Sequence, residues 1–211
     1  MFDSISARYD LVNRVMTLGM DRGWRTATVN SLGLKPGSLV LDVACGTGDL
    51  CRQLAKSRYR AIGFDISEGM LAHARTAAPL VLADALALPV SGGAADGVTC
   101  GFALRNVADL SRLIEELARV LRPGGRLAVL ETAQPDNALL RAGHRLYFHR
   151  MVPLIGGLIS DREAYSYLPK SSAYLPDPAE LLRMFAQRGF PDVSRRPFGL
   201  GAAQLITGTR S

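Results

Sequence analysis

With 211 residues, 48% of them hydrophobic, the chain has material for one sizeable core and is short for two. Its net charge of +6 rests on scattered arginines, with lysine only at Lys35, Lys56 and Lys170, and it contains no basic run of the kind that marks a nucleic-acid tail. Cys45, Cys51 and Cys100 form no Cys-x-x-Cys pair, which argues against a disulfide framework or a cysteine metal site; no metal is expected.

No apolar run approaches the roughly 20 residues of a membrane span, and Met1-Phe2-Asp3-Ser4 has neither the basic nor the apolar region of a secretory signal. Residues 2–32 read as helical, with Leu11, Val15, Leu18, Trp24, Ala27 and Val29 at mixed helical spacing. Lys35-Pro36-Gly37 breaks the chain ahead of Leu39-Val40-Leu41, a buried parallel strand ending at Asp42. Gly46-Thr47-Gly48 turns into a helix over 49–56. A strand over 61–65, a helix over 68–76, strands over 80–82 and 97–100 and a helix over 110–121 follow. Arg122-Pro123-Gly124-Gly125 reads as a breaker, with a fifth strand over 127–130 ending at Glu131. Residues 137–174 are too long for a connection and read as a mostly helical insertion over the ligand end of the sheet. A helix over 178–188, stopped by Gly189, and strands over 193–196 and 203–207 close the chain. This alternation predicts one α/β domain over 1–211: a mostly parallel seven-stranded sheet with helices on both faces, led by a helical segment over 1–34.

In such sheets ligands bind at the carboxyl ends of the strands. The first strand-to-helix turn is Asp42-Val43-Ala44-Cys45-Gly46-Thr47-Gly48-Asp49, and Asp65 follows Gly46 by nineteen residues, where an acid accepts hydrogen bonds from a ribose diol. A dinucleotide fingerprint needs a third Gly or Ala where this chain has Cys51, and a Gly-x-x-x-x-Gly-Lys phosphate loop is missing. The acids Asp42 and Asp49 are poor neighbours for a pyrophosphate and good ones for a sulfonium and an ammonium. Asp84, at the end of the third strand, can accept a bond from an adenine amino group. The order points to S-adenosylmethionine, with Asp42, Gly46, Thr47, Gly48, Asp65, Ile66, Met70, Asp84 and Ala85 as expected contacts. Asp49 reads better as a helix N-terminal acid than as a direct ligand.

Several longer stretches closely resemble the menaquinone/ubiquinone biosynthesis C-methyltransferases (UbiE/MenG), almost end to end. They are the run from Phe2 to Asn13 with Asp21-Arg22-Gly23-Trp24-Arg25; Phe102-Ala103-Leu104-Arg105-Asn106-Val107; Arg119 to Leu127 followed by Glu131; and Tyr165-Ser166-Tyr167-Leu168 with Ser171 and Pro176. The resemblance implies a Rossmann-like class I methyltransferase acting on the ring carbon of a demethylmenaquinol-like quinol. It implies cofactor contacts at Thr47, Asp65, Asp84 and Ala85. A further contact, usually a serine, falls on Gly101. Thr132, Ala133 and the strand Ala203-Gln204-Leu205-Ile206-Thr207 also depart from the pattern.

Ring carbon becomes nucleophilic once a phenolic hydroxyl, with a pKa near ~10, is deprotonated. Arg105, just past the fourth strand, is the expected electrostatic stabiliser of the phenolate, weighed against an inter-loop salt bridge. Asn106 is expected to hold the ring oxygen or a water, and Tyr9 to close the site. The expected partner is a lipophilic quinol, with room for a homodimer. The expected location is cytoplasmic, with peripheral contact at the inner face of a membrane through the insertion. Nucleic acid is disfavoured, because Gly101-Phe102-Ala103-Leu104 stands where an Asn/Asp-Pro-Pro-aromatic motif would be. Two other readings stay open: a tailoring methyltransferase of a phenolic or polyketide-like molecule, and a non-methylating protein that binds S-adenosylmethionine.

Overall fold

Val40, Leu41 and Val43 in β1 (Leu39–Val43) are fully buried hydrophobics, as a strand covered on both faces requires. The computed structural model describes residues 14–135, 137–146 and 175–211. Parallel to β1 run β2 (Arg60–Asp65) on one side and β4 (Ala95–Gly101) on the other. Beyond β2 lies β3 (Leu80–Leu82), and beyond β4 lies β5 (Leu121–Thr132), both parallel to their neighbours. The last two strands reverse direction: β7 (Ala203–Thr209) pairs antiparallel with β5, and β6 (Ser194–Phe198) antiparallel with β7. The order β3-β2-β1-β4-β5-β7-β6 is the expected seven-stranded, mostly parallel sheet. Its topological switch lies between β1 and β4, and a crevice opens where they diverge.

Alternation along β1 divides the core. Val40 faces α1 (Asp21–Ser31) and α2 (Asp49–Lys56), packing with Val29, Leu32, Leu50 and Leu54. Leu41 and Val43 face the other layer, built on α4 (Leu110–Val120) and α6 (Pro178–Gln187), and pack with Leu113, Leu117, Leu181 and Phe185. Phe185 and Phe190 meet edge to face at 6.0 Å. Asp109 caps α4 by accepting from the Arg112 N–H, and Asp177 caps α6 by accepting from Ala179 and Glu180.

Three boundaries differ from expectation for identifiable reasons. The helical reading of residues 2–32 is interrupted at Leu18 and Gly19, both at positive φ, so α1 starts at Asp21. The helix α3 (Glu68–Ala72) stops four residues early because the Arg75 N–H donates to the Thr47 carbonyl at 3.1 Å, drawing the chain onto the glycine turn. Residues 122–125 do not precede the fifth strand but bulge out within it: Ala95 pairs with Leu121 and Gly97 with Arg126, and Gly124 takes φ +73°. The segment 137–174 opens with the helix α5 (Ala138–Leu146), and its remainder lies outside the described residues.

Candidate functional site

The crevice holds a cavity of about 330 Å³, within the range of small-molecule sites. Two residues shape its mouth. β1 and β4 both leave the sheet through non-glycine residues in left-handed conformation, Ala44 (φ +55°) and Phe102 (φ +58°), and both line the cavity. Such backbone costs about 1–3 kcal/mol per residue and persists only where neighbours enforce it. Here the Phe102 N–H donates to the Leu130 carbonyl at 2.7 Å, and its carbonyl accepts from Asn106 Nδ2 at 3.3 Å. The guanidinium groups of Arg25 and Arg105 lie 5.7 and 5.9 Å from its ring centroid.

On the β2–β3 side stands Asp65. Its Oδ2 accepts from the Gly46 N–H at 2.7 Å and its Oδ1 from the Ser67 N–H at 2.9 Å, so the carboxylate is fixed at the strand end. Beside it Ile66 is 70% exposed and lines the cavity, an apolar face with nothing packed over most of it. Met70 forms the floor, positioned by its N–H bond to Ser67 Oγ. Asp84 and Ala85 complete this side, with Asp84 Oδ1 accepting from the Leu86 N–H at 2.9 Å.

On the β1–β4 side the charges are denser. Asp42 is fully buried; Oδ1 accepts from Thr99 Oγ1 at 2.8 Å and Oδ2 from the Cys51 thiol at 3.3 Å. Burial raises its pKa from 3.8 to about 6, against the opposing pull of those donors and of Arg25. Contact with the Cys45 thiol, then burial, pushes the Cys51 thiol far above the usual range, so it stays a donor. The two thiols meet over Gly63, where a Cβ would lie 2.8 Å from one sulfur and 3.0 Å from the other. Asp49, at the start of α2, pairs with Arg52 and with Arg25 Nη2 at 3.0 Å, and Arg25 also pairs with Asp21. The cavity therefore carries four carboxylates, Asp42, Asp49, Asp65 and Asp84, against one basic side chain, Arg25, among the described residues. A ligand bearing a sulfonium and an ammonium suits that imbalance; a pyrophosphate does not.

Comparison with known proteins decides the lineage. The model of the ubiE/COQ5 methyltransferase family matches residues 1–210. The chain belongs to that family. It is accordingly an S-adenosylmethionine-dependent methyltransferase of the Rossmann-like class I fold. Demethylmenaquinone methyltransferase of Roseiflexus castenholzii is 44% identical over 218 residues, covering 100% of this chain and 92% of that protein. The ubiquinone/menaquinone biosynthesis C-methyltransferase UbiE of Syntrophotalea carbinolica is 41% identical, covering 100% and 93%. Among solved structures, phosphoethanolamine N-methyltransferase 2 of Haemonchus contortus in complex with S-adenosyl-L-methionine shares the fold at a TM-score of 0.66 and 14% identity, covering 100% of this chain and 60% of that one. A SAM-dependent methyltransferase from Aquifex aeolicus aligns at a TM-score of 0.64 and 16% identity, covering 89% of each.

In this methyltransferase the structure brings Asp42, Gly46, Thr47, Asp65, Ile66, Met70, Asp84, Ala85 and Asn106 around one cavity. Gly48 does not line it. It serves the turn instead, as the N-cap of α2 at φ +81°, with Thr76 packed so close that a Cβ would lie 2.8 Å from Thr76 Cγ2. Arg105 does not line it either. Contrary to the expectation from sequence, its guanidinium turns toward β5 and pairs with Glu131, which is fully buried and also accepts from the Thr132 N–H at 2.7 Å. A carboxylate buried at the end of the neighbouring strand outcompetes the cavity for that cation. Asp49 lines the cavity as well as starting its helix. At Gly101 the missing side chain is matched by Leu50, whose Cδ1 would lie 2.8 Å from an added Cβ. Tyr9 and 165–174 lie outside the described residues. Sequence reasoning missed Arg25, Leu50 and Phe102 as wall residues. The Asp21/Arg25 pair at helical spacing on a segment ahead of the glycine turn was the available signal for the first. Among the described residues no helix is long and apolar enough to cross a membrane, and no cluster could hold a metal ion.

Proposed function

We propose that this methyltransferase methylates a ring carbon of a demethylmenaquinol-like quinol. The observation that carries the reading is the full-length similarity to curated demethylmenaquinone methyltransferases, joined to a cavity whose charged half adjoins an apolar one at Phe102, Ala103, Val107 and Ala108. When bound, S-adenosylmethionine supplies an electrophilic methyl group on sulfur. In this reading the carboxylate of Asp65 accepts the ribose hydroxyls, Ile66 packs on the adenine face, and Asp84 with Ala85 receives the adenine edge. Thr47 and the Gly46 backbone close over the amino-acid end, where Asp42 and Asp49 favour the ammonium.

Transfer forms a carbon–carbon bond at the quinol ring, breaks the carbon–sulfur bond and releases the ring proton. The ring carbon reacts once its neighbouring hydroxyl has lost a proton, so the protein must favour the phenolate and align the two centres. Asn106, exposed at the cavity wall, is the group assigned to the ring oxygen. Arg105 acts through position: it holds the 104–106 turn to β5 and flanks the Phe102 ring. A quinol with an apolar tail partitions into lipid, and Leu139 and Leu140 on α5, 81% and 41% exposed, fit peripheral contact with a bilayer.

The test is an anaerobic assay of purified protein with S-adenosylmethionine and chemically reduced demethylmenaquinone, beside a panel of tail-free phenols. The reading expects a ring-carbon methyl in the quinol product by mass spectrometry and slower turnover of the phenols. Methylation of a phenol oxygen, or equal turnover of phenols and quinol, would replace it with the tailoring reading.

A further inference from the structure

We infer that Arg25 binds the carboxylate of the cofactor's amino-acid end and selects carboxylated over decarboxylated adenosyl ligands. Four aspartates around the cavity suit the cations of S-adenosylmethionine, but they repel its carboxylate. That group needs a donor of opposite charge, and Arg25 is the basic side chain that the described cavity wall provides.

Its position fits the task. The strand ends lie in the order β3, β2, β1, β4, so Asp84 marks one end of the crevice and Phe102 the other. Arg25 reaches over from α1 to the Phe102 end, where its Nη2 pairs with Asp49 and its guanidinium lies 5.7 Å from the Phe102 ring centroid. The ribose acid Asp65 is near the middle, tied to Gly46. The amino-acid portion of the ligand then extends toward β1 and β4, where carboxylates and a guanidinium stand together: acids for an ammonium, arginine for a carboxylate. A guanidinium carries five N–H donors, and the ion pairs to Asp21 and Asp49 each take one. Those two pairs fix the side chain, which is 11% exposed, without exhausting it. A planar fork held in advance is what bidentate carboxylate recognition requires.

The inference rests on the cofactor alone and not on the methyl acceptor, so its test contains no quinol. Calorimetry would compare S-adenosylhomocysteine with its decarboxylated analogue, which keeps the amine, on wild type, Arg25→Ala, Arg25→Lys and the exposed same-helix control Arg22→Ala. Wild type and Arg22→Ala should prefer the carboxylated ligand by about 10- to 100-fold, the range of hydrogen bonds to a charged group. Arg25→Ala should abolish that preference while still binding the decarboxylated ligand, and Arg25→Lys should retain part of it. A preference ratio unchanged in either Arg25 variant overturns the inference. So does an equal loss of both ligands in Arg25→Ala, which would make the residue a brace for the turn. If Arg25→Ala does not fold, the ratio in Arg25→Lys decides: a reduced preference supports the assignment and an unchanged one overturns it.

Discussion

Arg105 Nη1 donates to Glu131 Oε1, tying the turn after β4 to the end of β5 through an ion pair in which neither residue is more than 8% exposed. Removing one partner of such a pair strands the other in a medium that solvates it poorly, at a typical cost of about 3–5 kcal/mol. Arg105→Ala should therefore lower the midpoint of urea unfolding by that order. Replacing both residues with apolar ones of similar volume, Arg105→Met with Glu131→Leu, should restore most of the loss. A single variant that keeps wild-type stability and loses only turnover would return Arg105 to the role of a direct phenolate stabiliser.

The proposed role of Asp42 in cofactor binding sets that function against the stability of the fold. Burial holds its pKa at about 6 in the folded protein, above the ordinary 3.8. The folded state therefore binds this proton more tightly than the unfolded one. The associated stability, about 3 kcal/mol, is fully present below pH ~4 and is lost as pH rises through ~6. Asp42→Asn cannot ionise, so at pH 8 it should be more stable than wild type by up to that amount, with the two converging near pH 4. The same variant should bind S-adenosylmethionine more weakly at pH 8. Denaturation series at both pH values, with calorimetry at the higher, measure this; a variant less stable at pH 8 than at pH 4 relative to wild type contradicts it.

Gly48 combines two constraints that mutation can separate. Its φ of +81° costs a side-chain-bearing residue about 1–2 kcal/mol, and a Cβ there would also press on Thr76. Gly48→Ala should lose at least that much stability. Adding Thr76→Ala, which removes Cγ2 at 2.8 Å and leaves Cβ at 3.1 Å, should recover most of the steric part and leave the backbone part. Thermal melts of the two variants read the difference. Full recovery in the double variant would mean that the left-handed conformation costs nothing here.

The parts of the site legible in sequence are those fixed by chain neighbours. Asp65 stands at a strand end nineteen residues from Gly46, and the ladder of β1 against β2 brings the two within a hydrogen bond. Asp42, Thr47, Ile66 and Met70 follow from the same two strand-to-turn exits. The direction of Arg105 was not legible, because it depends on which strand lies beside β4 and on the acid at that strand's end. The place of Arg25 at the cavity was hard to read, its one local signal being the spacing from Asp21, because α1 reaches the site through tertiary contacts: Val29 and Leu32 on the sheet, Trp24 against Leu130, and Arg25 with Asp49. The Arg122–Gly125 stretch reads correctly as a disturbance, but whether it limits a strand or bulges from one is settled by the pairing of Leu121 with Ala95.

The two edges of the sheet carry a consequence for how copies of the chain meet. One edge is β3, only three residues long; the other is β6, Ser194-Arg195-Arg196-Pro197-Phe198. A three-residue strand offers a short template, and a proline and two arginines on an edge strand remove one backbone donor and place like charges where a second copy would align. The buried apolar core of β1, Val40, Leu41 and Val43, thus sits in the sheet without the edges inviting growth by strand addition. Strand addition between copies of the chain is therefore disfavoured at the described borders of the sheet.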